Sequence, residues 1–221
     1  MQLYPFYKTN NKKLKFIHIT KCAGSAIETA GIKNNLKWGK YDTMYKYQNE
    51  ENVPNNEKIF PPAQWHSVFK NICKNHRKNH NWFMVIRNPY ERILSEYYCK
   101  WGGNEKIRQM NSKKKMNKFL IEQITNRNKY GCHYTEQYRY TFNDDNNSTL
   151  HVLKFENLNK EFYQLMDLYS IENVILKSEN QAKSTAQRFT VNDFSKNLIR
   201  LINEVYDKDF IIFGYKKMYV N

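Results

Sequence analysis

Residues Lys13 to Ala30, KLKFIHITKCAGSAIETA, constrain the fold more than any other stretch of the chain. Phe16, Ile17 and Ile19 read as an apolar strand, Thr20 to Ala23 as a short turn, and Gly24 and Ser25 as the start of a helix. A strand that runs through a small-residue turn into a helix leaves backbone N–H groups unpaired at the positive end of a helix dipole. That is an anion site, and phosphate is its usual occupant. Lys21 lies inside the turn, where its ammonium reaches the same anion. The spacing is not that of the common loop G-x-x-x-x-G-K-[ST], whose lysine directly follows the second glycine. Lys21 precedes Gly24 instead, which argues against an ATPase or a nucleotide kinase. A buried strand with an ordinary turn is the competing reading of this stretch alone.

A second segment, Asn81 to Trp101, has the same character. Phe83 to Ile86 is a continuous apolar run, as in a parallel strand buried on both faces. Arg87-Asn88-Pro89 ends it, and proline suits a first helical turn. Ile93, Leu94, Tyr97 and Tyr98 then recur at helical spacing. Arg87 stands at the strand end, where a guanidinium pairs with phosphate through two hydrogen bonds. Ser95 lies two helical turns further on.

In this order the two segments resemble those of the PAPS-dependent sulfotransferases, especially the Golgi-type carbohydrate branch that acts on heparan, chondroitin and dermatan. The first is similar to F-x-H-x-P-K-[TC]-[GA]-G-[TS]-S through Phe16, His18, Lys21, Cys22, Ala23, Gly24 and Ser25. Thr20 stands in place of the proline, and Ala26 in place of the last hydroxyl residue. The second is similar to R-[DN]-P-x-x-R-x-x-S-x-[YF]-Y from Arg87 to Tyr98. The resemblance implies a 5′-phosphosulfate loop made by Lys21, Cys22, Ala23, Gly24, Ser25 and Ala26. It implies a 3′-phosphate site at Arg87 and Ser95, with Arg92 supporting the fold, and a polar loop around Lys183 that folds over the nucleotide. His66 matches the base that takes the acceptor's proton, and imidazole suits that work near neutral pH. His133 and Gln137 match an H-x-x-x-Q segment lining the cleft toward the acceptor, with His133 as the reserve base. The donor implied is PAPS, leaving PAP, with no metal needed. The acceptor is a hydroxyl, on an oligo- or polysaccharide or, alternatively, on protein tyrosine.

The net charge of +15 and a pI near 9.5 call for anionic partners. A polyanionic nucleotide and an acidic glycan both qualify. A non-catalytic glycan- or nucleic-acid-binding protein is the rival reading, supported by that charge and by 17 tyrosines. The expectation is catalysis, with no nucleic-acid partner. Four scattered cysteines, Cys22, Cys73, Cys99 and Cys132, make no disulfide framework and fit a reducing compartment. No apolar run approaches a membrane span and no signal-peptide core opens the chain. The expected location is therefore cytoplasmic or soluble, with the Golgi lumen reserved for a trimmed chain.

The remaining chain reads as one α/β domain over residues 1–221, a P-loop-like three-layer sandwich around a mainly parallel sheet. Asn34 to Trp38 is expected to be a short strand, and residues 39–62 a variable loop or insertion. Cys73, His76 and His80 carry a zinc-like spacing without an evident fourth ligand, so a solvated basic loop is the favoured reading. Lys113, Lys114 and Lys115 precede an amphipathic helix around Phe119 to Ile124, as a solvated entrance or a glycan contact. The aromatic run of residues 131–142 either lines the acceptor cleft or packs on the core. Leu150 to Phe155 reads as a strand that leads through Glu156-Asn157-Leu158 into a helix. Asn173 to Leu176 is an expected edge strand, and Asp193 to Tyr206 an expected helix. The closing Tyr206-x-x-Asp209-Phe210-x-x-Phe213-Gly214-Tyr215, which also resembles the family, is assigned to packing.

Overall fold

The computed structural model describes residues 11–42, 64–72, 74–99, 112–129, 131–141, 148–177 and 189–219. Three parallel strands form its sheet in the order β1 (Lys13–Ile17), β2 (His80–Ile86), β3 (Leu150–Lys154). Phe16 pairs with Phe83, and Phe83 with His151. The central strand is the most apolar, and Trp82 through Ile86 are wholly buried. This is the expected consequence of covering both faces of a parallel sheet.

Each strand feeds a helix. β1 turns at Thr20–Ala23 into α1 (Gly24–Lys33), and a short α2 (Lys74–Lys78) precedes β2. β2 leads to α3 (Pro89–Tyr97), where the Asn88 side chain caps Tyr90 N at 3.0 Å and Pro89 takes the first turn. α4 (Lys113–Thr125) is capped by Ser112. β3 leads through a 3₁₀ turn (Phe155–Asn157) to α5 (Leu158–Leu168), and α6 (Lys196–Val205) and α7 (Asp207–Phe213) close the chain. One core cluster surrounds the sheet. A second lies among α3, α4, α6 and α7, built on Tyr97, Phe119, Leu198 and Phe210. The architecture is the α/β class expected, a parallel sheet flanked by helices. Among the described residues no helix is long and apolar enough to cross a membrane.

Several expectations are corrected. Asn34–Trp38 is not a strand, because Asn34 caps α1 and Asn35 adopts a left-handed conformation (φ 58°), which breaks extension. Trp38 instead packs in the core, edge-on to Phe83 and Phe162, its indole N–H donating to Leu14 O at 3.0 Å. Asn173–Leu176 forms no strand either, and here too a left-handed asparagine (φ 60°) opens the segment. The helix expected from Asp193 starts at Lys196, because Thr190 and Asp193 form a capping box around a separate 3₁₀ turn and Ser195 caps the helix proper. Of the 39–62 segment, Gly39–Tyr41 is a 3₁₀ turn, and residues from 43 onward lie outside the described ones.

Candidate active site

The site forms where β1 and β2 end side by side. The turn after β1 holds two non-glycine residues in the left-handed region, Lys21 (φ 61°) and Ala23 (φ 62°). Such geometry costs of order 1–3 kcal/mol per residue and persists only where the surroundings impose it. Those surroundings are identifiable. Arg92, on α3 and 1 % exposed, donates from Nε to Thr20 O (3.1 Å) and from Nη2 to Thr20 Oγ1 (3.1 Å). It also reaches Thr135 O (2.8 Å) and His133 O (3.2 Å). The Thr20 hydroxyl lies within hydrogen-bond reach of Cys132 O, at 3.3 Å. A side-chain network thus holds the turn at the position where the resembled pattern uses a proline ring. Thr20→Val should lower stability by about 1–2 kcal/mol in denaturant unfolding, the scale of losing one hydrogen bond to a charged group.

Ala23 is the N-cap of α1 and no side chain caps the helix. Ala26 N–H donates to Ala23 O at 3.0 Å, so Ala26 is not an anion donor as expected. The outward donors are those at Gly24 and Ser25, with the Ser25 hydroxyl exposed beside them. The Lys21 ammonium has no hydrogen bond or ion pair among the described residues. Cys22 points the other way: it is fully buried, its thiol is pushed up to about 12 by burial, and Sγ meets Gln137 Oε1 at 3.5 Å. Its part in the loop is confined to its backbone.

Gly24 is required by a close approach. A Cβ there would lie 1.9 Å from His18 Nε2. His18 is itself locked, its Nδ1 2.7 Å from Glu28 Oε1, an oxygen that also accepts from Lys40 N at 2.9 Å. The His66 ring stands edge-on to His18, with centroids 4.2 Å apart. His66 Nδ1 is 3.1 Å from the His18 carbonyl oxygen. A carbonyl only accepts, so Nδ1 carries the proton and Nε2 keeps the lone pair of a neutral imidazole. Burial, reinforced by the charge of His18, pushes the His66 pKa down to about 3, so the near-neutral pKa expected of this base is not met and His66 is a weaker proton acceptor than expected.

Arg87, at the end of β2, donates from Nη1 to Lys21 O at 3.4 Å, stacks 4.3 Å over the Phe155 ring and has Glu91 Oε2 at 3.7 Å. The two sequence-distant segments therefore converge. Ser95 is half-buried one helical turn beyond Glu91, on the same stripe of α3. A mouth with an uncapped helix start, an unengaged ammonium and a partly exposed guanidinium is suited to a nucleotide with separate 5′ and 3′ phosphates. The donor implied by the resemblance fits these residues.

His133 also reaches the site. Its Nδ1 is 2.9 Å from Glu96 Oε2, and its charge acts on His66. Gln137 does not line a cleft. It is fully buried, exchanging two hydrogen bonds with the Arg87 backbone (2.8 and 2.9 Å), while its N–H donates to Asp209 Oδ2 at 2.9 Å. Tyr134 and Tyr140 are likewise wholly buried, so those rings pack on the core and are not available to stack on a sugar. Lys183 lies outside the described residues. In the zinc-like trio, Cys73 lies outside them too. His76 Nε2 meets Asp42 Oδ2 at 3.1 Å, and His80 Nδ1 lies 2.9 Å from His76 O. His76 is buried on α2 and His80 opens β2, so this stretch is not the solvated basic loop expected.

Two features escape sequence reading. Glu28 is a buried carboxylate on the otherwise apolar α1 stripe with Gly24, Ile27 and Gly31, and that placement is the signal for the His18 pair. Glu96 is the corresponding intruder on the buried face of α3.

Comparison with known proteins returns one family model, described as the sulfotransferase family, which matches residues 4–216. No curated protein and no solved structure matches the chain significantly.

Proposed function

Since the chain belongs to the sulfotransferase family, we propose that it moves a sulfuryl group from PAPS to a hydroxyl, most readily one on a carbohydrate. The observation that carries the donor half of this reading is the 3.4 Å contact of Arg87 Nη1 with Lys21 O, which brings two cationic residues from two strand ends together. The acceptor half is supported by the net charge of +15, which favours acidic glycans, and by the resemblance to the carbohydrate branch.

When bound, PAPS supplies a sulfuryl group activated by a phosphate leaving group. The protein's tasks are positioning and charge neutralisation, as in phosphoryl transfer. Lys21 and the N–H groups of Gly24 and Ser25 neutralise charge on the leaving oxygen. Arg87 and Ser95 hold the 3′-phosphate and select PAPS over ATP. His66 Nε2 takes the proton of the acceptor hydroxyl. His18, fixed by Glu28, is a positioning residue that presses the helix start and the base together. His133 contacts the acceptor.

The test is calorimetric titration with PAP, against ADP and ATP at fixed salt. PAP should bind in clear preference, and Arg87→Ala should weaken PAP at least ~10-fold, in line with losing a charge-assisted contact. Equal binding of PAP and ADP, with steep salt dependence, would instead favour the non-catalytic binding protein. Acceptor profiling separates carbohydrate from protein tyrosine.

A further inference from the structure

Beneath His133 the structure gathers a thiol, an imidazole and a carboxylate. Glu96 lies in the last turn of α3, Cys99 just beyond it, and His133 on the facing 3₁₀ turn Gly131–Tyr134. One ligand atom from each lies within 4.8 Å of the other two. We propose that Glu96, Cys99 and His133 form a binding site for a thiophilic divalent cation of the zinc class.

The first support is the carboxylate. Glu96 is fully buried, Oε2 faces His133, and Oε1 has no hydrogen-bond partner among the described residues. A buried carboxylate oxygen without a partner is costly and calls for one. Arg92 does not provide it, since its four hydrogen bonds go to Thr20, Thr135 and His133 oxygens. A cation bound to that oxygen removes the deficit.

The second support is preorganisation. Cys99 N donates to Glu96 O at 2.9 Å, which fixes the spacing of thiol and carboxylate. The His133 carbonyl is held by Arg92 at 3.2 Å. The backbone that carries the three ligands is thus held by bonds that do not involve the ion. Tetrahedral zinc with bonds of about 2.0–2.3 Å places its ligand atoms roughly 3.5 Å apart, within the 4.8 Å that bounds this trio, although the His133 Nδ1–Glu96 Oε2 pair at 2.9 Å must open to admit an ion. One sulfur, one nitrogen and one oxygen select a borderline-soft ion over magnesium or calcium. Cys99 is 9 % exposed, and a three-ligand zinc site takes water as its fourth ligand. An ion there would engage His133, the residue assigned to the acceptor under the proposed function.

The experiment titrates the reduced full chain with Co²⁺ and then Zn²⁺, without donor or acceptor. A near-ultraviolet thiolate-to-cobalt charge-transfer band should grow to about one equivalent and be bleached by Zn²⁺. Cys99→Ser should abolish it while the metal-free melting temperature stays unchanged. Glu96→Gln should weaken it at least ~10-fold, since even outer partners of metal ligands cost that much. No band in the wild-type chain overturns the proposal. So does a band that survives in Cys99→Ser, which would place the thiolate at another cysteine.

Discussion

Lys21→Ala is expected to lower turnover at least ~100-fold while the chain stays folded. That is the scale of removing one preorganised charge stabiliser from a reacting oxygen. The side chain stands in a left-handed turn, half-buried, with no bond to the rest of the described protein. Removing it therefore orphans no internal partner, and an alanine tolerates φ 61° no worse than lysine does. Stability should change by no more than about 0.5 kcal/mol, the usual range for substitutions that touch no internal partner. The diagnostic combination is a large loss in kcat with a near-normal melting temperature. With Arg87 and Ser95 proposed to hold the far end of the nucleotide, PAP binding should fall less than turnover does. Near-wild-type turnover in this variant would remove Lys21 from the reaction. The reverse pattern, lost PAP affinity with intact turnover at saturation, would make Lys21 a ground-state binder.

The local rules that made the site legible in sequence are short-range ones. Apolar run, small-residue turn and helix start place β1, the Thr20–Ala23 turn and α1 at their observed positions, and Asn88-Pro89 places the start of α3 equally well. What was not legible depends on contacts across the chain. Thr20 looks like a loss of rigidity until Arg92, 72 residues away, is seen bonded to it. Gln137 looks like a polar group for a cleft, but Asp209 and the Arg87 backbone consume its hydrogen-bonding capacity and draw it under the site. In the same way the closing Tyr206-to-Tyr215 segment proves to act on the site through Asp209, which fixes Gln137 and so the strand end that carries Arg87. Asn34–Trp38 and Asn173–Leu176 failed as strands for a local reason, the left-handed preference of asparagine, which apolar patterning ignores.

His66→Asn should lower turnover by roughly 10²–10⁴-fold, the usual contribution of a positioned general base. Asparagine is the informative replacement because its amide N–H₂ can still donate to the His18 carbonyl, so the shape of the site is kept and the lone pair at Nε2 is lost. The pH behaviour separates this role from a packing role. With the folded pKa pushed down to about 3, the imidazole stays neutral across the working range, and the wild-type rate should show no limb near 6.5 from this group. The stability effect has a definite sign. The unfolded chain binds a proton on His66 below about 6.5, the folded chain only below about 3. The folded state is therefore fully favoured above 6.5 and loses this contribution as pH falls toward 3. His151, pushed down to about 4 by burial, acts in the same direction and is unaffected by the substitution. Unfolding free energy measured from pH 7.5 to 4 should thus fall less steeply in His66→Asn than in wild type, while His151 and His80, both pushed down by burial, keep part of the slope and Asp209, pushed up to about 6 by burial, opposes it. Turnover within about 10-fold of wild type in His66→Asn, together with collapse in His133→Ala, would transfer the base to His133, whose Nδ1 is already oriented by Glu96 and whose Nε2 would then take the acceptor's proton.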